Sequence, residues 1–225
     1  MDVSRVGLLR EILTDTPWLR RTAEFGRSLQ RSTRSEQGLL LVGTPDDEPW
    51  HLAAHLDDES RYAGLPGLRP MLIRWSPPPD APPHLAITLE RLERASRGET
   101  LFVVSPGDSP GDLLERVEDA KRVGATVFAM SADDTELGSI AHESLVVPAA
   151  GLILPPDAAQ LLSIPPPRAG GIVLEPGLSF DTAQHLVSAA AGEPGERGSR
   201  HKAGLRDRLA RMLDAISGSP RGDAF

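Results

Sequence analysis

Cysteine is absent from this 225-residue chain, which excludes disulfides, thiolate catalysis and any metal site built on sulfur. Aromatic residues are scarce, with three Trp, one Tyr and five Phe, so an aromatic-lined strand for stacking successive bases has little to draw on. No uncharged apolar run approaches the roughly 20 residues that a bilayer-spanning helix needs, and the opening "MDVSRVGLLREILTD" carries charges through its apolar positions, unlike a signal peptide. Net positive charge is lacking as well. The formal charge is -8, from 24 Lys and Arg against 32 Asp and Glu, and proteins that follow nucleic-acid phosphates need clustered cations. These absences predict a cytoplasmic globular protein with no membrane and no nucleic-acid partner.

What is present is alternation. Apolar positions at Val6, Leu9, Ile12 and Leu13 predict a first helix, and Pro17 opens a second that runs to about Arg34. "GLLLVG" (38–43) is a short apolar run closed by Gly at each end, the pattern of a strand buried on two faces. "EPWHLAAHLDDESRY" (48–62) predicts a helix and "MLIRW" (71–75) a second strand; "SPPPDAPP" (76–83) must be a loop, because proline offers no donor and fixes its own φ. "HLAITLERLERASRG" (84–98) predicts an amphipathic helix with Leu85, Leu89 and Leu92 inward and Gly98 as its stop. Then follow the strand "TLFVVS", the helix "DLLERVEDAKRVG", the strand "ATVFAM", the short helix "DDTELGSIAH" and the strand "SLVVP". Five strands joined by crossovers predict an α/β three-layer sandwich around a five-stranded parallel sheet.

Beyond it, residues 149–178 predict a long irregular crossing broken by "PP", "PPP" and "GG", and "SFDTAQHLVSAAAG" (179–192) predicts a last helix of the domain. The domain thus spans 1–192 with leading helices over 1–37. A linker occupies 193–200, a C-terminal helix with Leu205, Leu209, Met212, Leu213 and Ile216 occupies 201–217, and a disordered tail 218–225.

In a parallel sheet, ligands bind beyond the carboxyl ends of the strands, where helix N-termini offer unsatisfied amides to an anion. "SPGDSPGD" (105–112) stands at that place. Gly107 and Gly111 allow close approach of the backbone, and Ser105 and Ser109 carry hydroxyls for phosphate oxygens. Asp108 and Asp112 bring negative charge to the same turn.

The segment 100–148 resembles the second half of a SIS (sugar isomerase) domain: strand, Ser/Thr-rich phosphosugar loop, helix ending in a "Ga" step, strand, short "ela"-type helix, and a last strand before "vp". The five-strand pattern with leading helices is similar to that family over about 1–192, and within it to the phosphoheptose isomerase group. The resemblance implies a phosphorylated sugar as ligand, a homodimer or homotetramer, no cofactor, and an aldose-ketose isomerisation by enediol proton transfer. It assigns the proton-transfer pair to Glu59, in "AAHLDDESRY", and His185, in "TAQHLVSAA", with Thr44, Ser105, Gly107, Ser109 and Gly111 holding the ligand.

The first loop departs from the family. Where the family has a "GxGxS" loop, this chain has "VGTPDDEPW", with one Gly, two prolines and the acids Asp46, Asp47 and Glu48. The second loop puts Pro106 near the place of a family hydroxyl. Like charges about 4 Å apart repel by roughly 1 to 4 kcal/mol, so these changes weaken phosphate binding. Two other readings stay open: a module that keeps the fold and has lost both ligand and catalysis, and a binder of a neutral or cationic ligand attracted by "TPDDE". His51 and His55 share one helix face at i,i+4, the spacing of a metal pair, but no matching cluster accompanies them and no metal is expected.

Overall fold

A computed structural model describes residues 17–132, 135–147 and 180–193. The expected leading helix over 3–13, the 149–178 crossing, the linker and the C-terminal helix all lie outside them.

The described chain forms α1 (Pro17–Ser32), β1 (Leu39–Val42), α2 (Trp50–Ala63), β2 (Pro70–Ile73), α3 (Glu90–Glu93), β3 (Thr100–Ser105), α4 (Gly111–Arg122), β4 (Thr126–Ser131), α5 (Thr135–Ile140), β5 (Glu143–Val146) and α6 (Phe180–Ala191). All four strand pairings are parallel, in the order β2-β1-β3-β4-β5. This is the flavodoxin-like order, which turns back on itself between β1 and β3.

Strand residues alternate between two apolar layers, as a period of two demands. Leu39, Leu41, Phe102, Val104, Phe128 and Met130 point to one face, against Phe25 and Leu29 of α1, Leu52 and Leu56 of α2, and Ala183, Val187 and Ala191 of α6. Leu40, Val42, Leu101, Val103, Val127 and Ala129 point to the other, against Leu92, Leu113, Val117, Leu137 and Ile140. Phe25 stands edge-on to Phe128 and tilted on Phe102, with centroids 5.3 and 5.6 Å apart, the offset geometry that aromatic quadrupoles prefer. Gly26 lets α1 and α6 touch: a Cβ there would stand 2.7 Å from the Val187 carbonyl and 2.7 Å from the Ala190 Cβ.

One element differs from expectation. The helix predicted over 84–98 is a 3₁₀ turn at Pro83–Leu85 followed by the single turn α3. The reason is competition for the backbone: Arg74, just past β2, donates its N–H to the Ile87 carbonyl at 2.8 Å and forms a parallel bridge with Thr88. The stretch between the prolines and Glu90 is thereby drawn alongside the sheet. Leu92 is buried and Leu89 packs on the core as the apolar spacing implies. Pro70 opens β2, which is an edge strand, where a missing donor is tolerated. No described helix is long and apolar enough to cross a membrane.

Candidate functional site

The register places the ends of three strands side by side. Val42 pairs with Ile73 on one side and Val103 on the other, so the loops that begin at Gly43, Arg74 and Ser105 share one rim. This rim is the carboxyl edge at the point where the strand order reverses.

The loop after β3 is partly self-bonded. Ser105 is fully buried; its hydroxyl donates to the Gly107 carbonyl at 2.6 Å and accepts from the Ser109 hydroxyl at 3.0 Å. Gly107 and Gly111 are exposed, and among the described residues a Cβ on either would meet nothing within 4 Å. Pro110 stands at the N-cap of α4 with extended backbone, and no side chain caps the helix. Leu113 and Leu114 donate their N–H groups to the Pro110 carbonyl at 3.0 and 3.1 Å, which leaves the Gly111 and Asp112 amides to the turn, and Asp112 is exposed.

The loop after β1 is built differently. Gly43 is in contact with the backbone of Asp47, so the chain folds back on itself at once, and Thr44 is 6% exposed. Glu48 does not point at the neighbouring loop as a spare charge. Its Oε2 accepts from Arg74 Nε at 2.9 Å and from Trp50 Nε1 at 3.1 Å, and its Oε1 accepts from the Trp75 backbone N–H at 2.9 Å. Trp75 Nε1 in turn donates to the Gly43 carbonyl at 2.9 Å. The Arg74 guanidinium lies 4.5 Å from the centre of the Trp50 ring. Sequence reading counted Glu48 as a repelling acid and passed over Arg74; a single Arg in the apolar strand "MLIRW" was the available signal, since a cation carried to a strand end calls for an acid. Asp46 and Asp47 are exposed.

Glu59 and His185 come from helices that pack together, α2 and α6. The Glu59 carboxylate lies against Gly192, seven residues beyond His185, roughly 10 Å of helix rise. The His185 ring, 7% exposed, packs across His55 with centroids 4.2 Å apart and planes at 74°, and lies 5.7 Å from His51. His51 and His55 are stacked at 5.8 Å. Among the described residues no three His, Asp or Glu side chains are placed to hold a metal.

Burial holds His55 below the usual imidazole range, with the neighbouring His51 adding to the depression and Asp58 opposing it. The unfolded chain therefore takes up this proton more readily than the folded one, and stability rises with pH through the range just below 6.5. Acidification from pH 7 toward 5.5 is expected to lower the urea midpoint, and His55→Gln to flatten that part of the profile. An unchanged slope in the variant would assign the acid sensitivity elsewhere.

No family model matches the chain, and no curated protein matches it. Solved structures do. One is a protein provisionally assigned as a phosphosugar isomerase from Silicibacter pomeroyi, with a TM-score of 0.48 at 16% identity over 93% of this chain. This chain spans about half of that one, 52% of its length. The Vibrio vulnificus NanR protein complexed with ManNAc-6P matches with a TM-score of 0.46 at 14% identity, over 95% of this chain and 68% of the other. The sugar isomerase domain of an RpiR transcription factor from Sphaerobacter thermophilus matches with a TM-score of 0.46 at 13% identity, over 95% and 94%.

Proposed function

We propose that this chain is a SIS-fold module that binds a phosphorylated sugar or a closely related metabolite, with the phosphate seated on the 105–111 turn. The observation that carries the reading is the uncapped N-terminus of α4 behind that turn, at the reversal of strand order. An anion there receives the Gly111 and Asp112 amides and the favourable end of the helix dipole. Ser109, half-buried at the lip, turns its hydroxyl from Ser105 to the phosphate, and Ser105 supports it from below. Thr44 lines the neighbouring strand end, and Gly107 and Gly111 admit the ligand to the backbone.

Proton transfer by Glu59 and His185 is the catalytic extension of this reading. It requires a ligand that reaches over the N-terminal half of α2 to the histidine cluster. Assembly as a homodimer or homotetramer belongs to the same proposal, and light scattering tests it.

Thermal melts with sedoheptulose 7-phosphate, glucosamine 6-phosphate and fructose 6-phosphate test the binding. A ligand at 100 times its dissociation constant stabilises by about 2.7 kcal/mol. One of the three is expected to raise Tm, and Ser109→Ala to weaken its binding about tenfold, the size of a hydrogen bond to a charged group. Glu59→Gln is expected to spare binding and remove turnover. If all three leave Tm unchanged, the phosphosugar reading fails.

A specific observation favours a second reading, a scaffold that no longer binds. Ser105 already spends its hydroxyl on the loop's own carbonyl, and Glu48 with Arg74 closes the loop where the family holds its sugar. Under this reading the rim serves a protein partner, and the melts are silent.

A further inference from the structure

We propose that Trp50 is a stacking platform for the ring of the ligand, a role that rests on the phosphosugar reading and narrows it to phosphates that carry a ring. Trp50 is the first residue of α2 and is 41% exposed, among the few large apolar side chains left open to solvent. An exposed indole on a flexible stem would be unremarkable. This one is held at two points, its N–H and one ring face.

Its Nε1 is anchored to Glu48, Glu48 is anchored to the Trp75 backbone, and the Arg74 guanidinium covers one face of its ring. Arg74 and Glu48 have side chains only 16% and 13% exposed, so the anchor is itself held by packing. Trp50 keeps its 41% exposure with one face backed by Arg74 and the N–H turned to Glu48, so the face away from Arg74 is the one the proposal assigns to the ligand. A rigid flat face loses little freedom when a ring settles on it, which is the advantage of preorganisation.

The geometry also selects the guest. A guanidinium already draws on the π density of this indole, so a second cation gains little there. That weighs against the cationic ligand suggested by "TPDDE". A ring with polarised C–H bonds, or an aromatic base, has no such conflict, and His51 beside Trp50 on the same exposed turn can meet ring hydroxyls. The loop that lacks the family's glycines and serine thus contributes a surface in place of donors. Trp75, set behind it with its N–H on Gly43, holds the start of the same loop.

Calorimetry on the full chain with three probes tests this: glucose 6-phosphate with a saturated ring, adenosine monophosphate with an aromatic one, and glycerol 3-phosphate with none. Ring-bearing probes are expected to bind at least about tenfold tighter than glycerol 3-phosphate, the scale of one stacked ring. Trp50→Ala is expected to erase that margin while leaving glycerol 3-phosphate binding as it was, and Trp50→Phe to keep most of it. Which of the two rings shows the margin identifies the class of ring. Equal binding of the ring-bearing probes by wild type and Trp50→Ala overturns the platform while sparing the phosphate site. Absence of binding by every probe, including glycerol 3-phosphate, removes the phosphosugar reading and the platform with it.

Discussion

Glu48→Ala is expected to lower the free energy of unfolding by about 2 kcal/mol, between the cost of breaking one side of a buried ion pair and that of a surface pair, because Glu48 and Arg74 are partly buried. The carboxylate serves three donors at once: Arg74 Nε, Trp50 Nε1 and the Trp75 N–H. Without it, a guanidinium that is 16% exposed is left with the Trp50 ring face and a long contact to the Leu85 carbonyl at 3.4 Å, and a backbone N–H loses its acceptor. Each orphaned polar group carries its own desolvation penalty. The pair as a whole is worth less than this loss suggests, because two partly buried charges spend much of their attraction on leaving water. Glu48→Ala combined with Arg74→Met is therefore expected to be more stable than Glu48→Ala alone. Urea denaturation of the three proteins separates the cases, and a Glu48→Ala midpoint equal to wild type would show an ordinary surface pair of the kind that contributes under about 1 kcal/mol.

Gly26→Ala is expected to lower stability by about 2 kcal/mol, although alanine favours a helix interior over glycine by about 1 kcal/mol. Space decides the sign. The new methyl would press on the Val187 carbonyl oxygen at 2.7 Å and the Ala191 nitrogen at 2.9 Å, backbone atoms of α6 that cannot rotate away. Relief requires α1 and α6 to separate over Phe25 and Val187, and overpacking of this kind costs about 1 to 3 kcal/mol. For a chain of this size each kcal/mol moves Tm by roughly 2 to 4 °C, so a fall of several degrees is expected. Gly107→Ala, where the methyl meets nothing within 4 Å among the described residues, is the matched control and should melt with wild type. A Gly26→Ala protein that melts at or above wild type would mean that the two helices are not held at this distance.

The frame of the molecule was legible because burial on two faces leaves a strong signature. "GLLLVG", "TLFVVS" and "ATVFAM" are apolar at successive positions, and only a strand covered by helices on each side tolerates that. The helical period of "DLLERVEDAKRVG" matched α4 to within a residue at its start, and the crossovers then fixed the sheet as parallel. The segment 84–98 was misread because its leucine spacing is a local property, whereas the pairing of Ile87 and Thr88 with Arg74 is not. A pattern within one window carries no trace of a backbone bond made 13 residues earlier.

The candidate site was legible in kind and not in detail. The turn at 105–111 lies where its composition implied, at the carboxyl edge and before a helix. Nothing in "SPGDSPGD" announced that Ser105 would be sealed beneath its own loop. Similarly, "PDDEPW" reads as three like charges, and the removal of Glu48 from that set depends on an Arg 26 residues away. The histidines show the same limit. His51 and His55 are paired by helical spacing, but the third ring arrives from α6, more than a hundred residues later, and only the packing of helices puts it there.

That late arrival governs how the molecule can be made. α1, α2 and β1 through β5 emerge from the ribosome as a sheet complete in its strands, yet Phe102 and Phe128 still lack part of their cover until Ala183, Val187 and Ala191 follow. A nascent chain paused before residue 180 presents a greasy furrow between two helices for as long as the pause lasts.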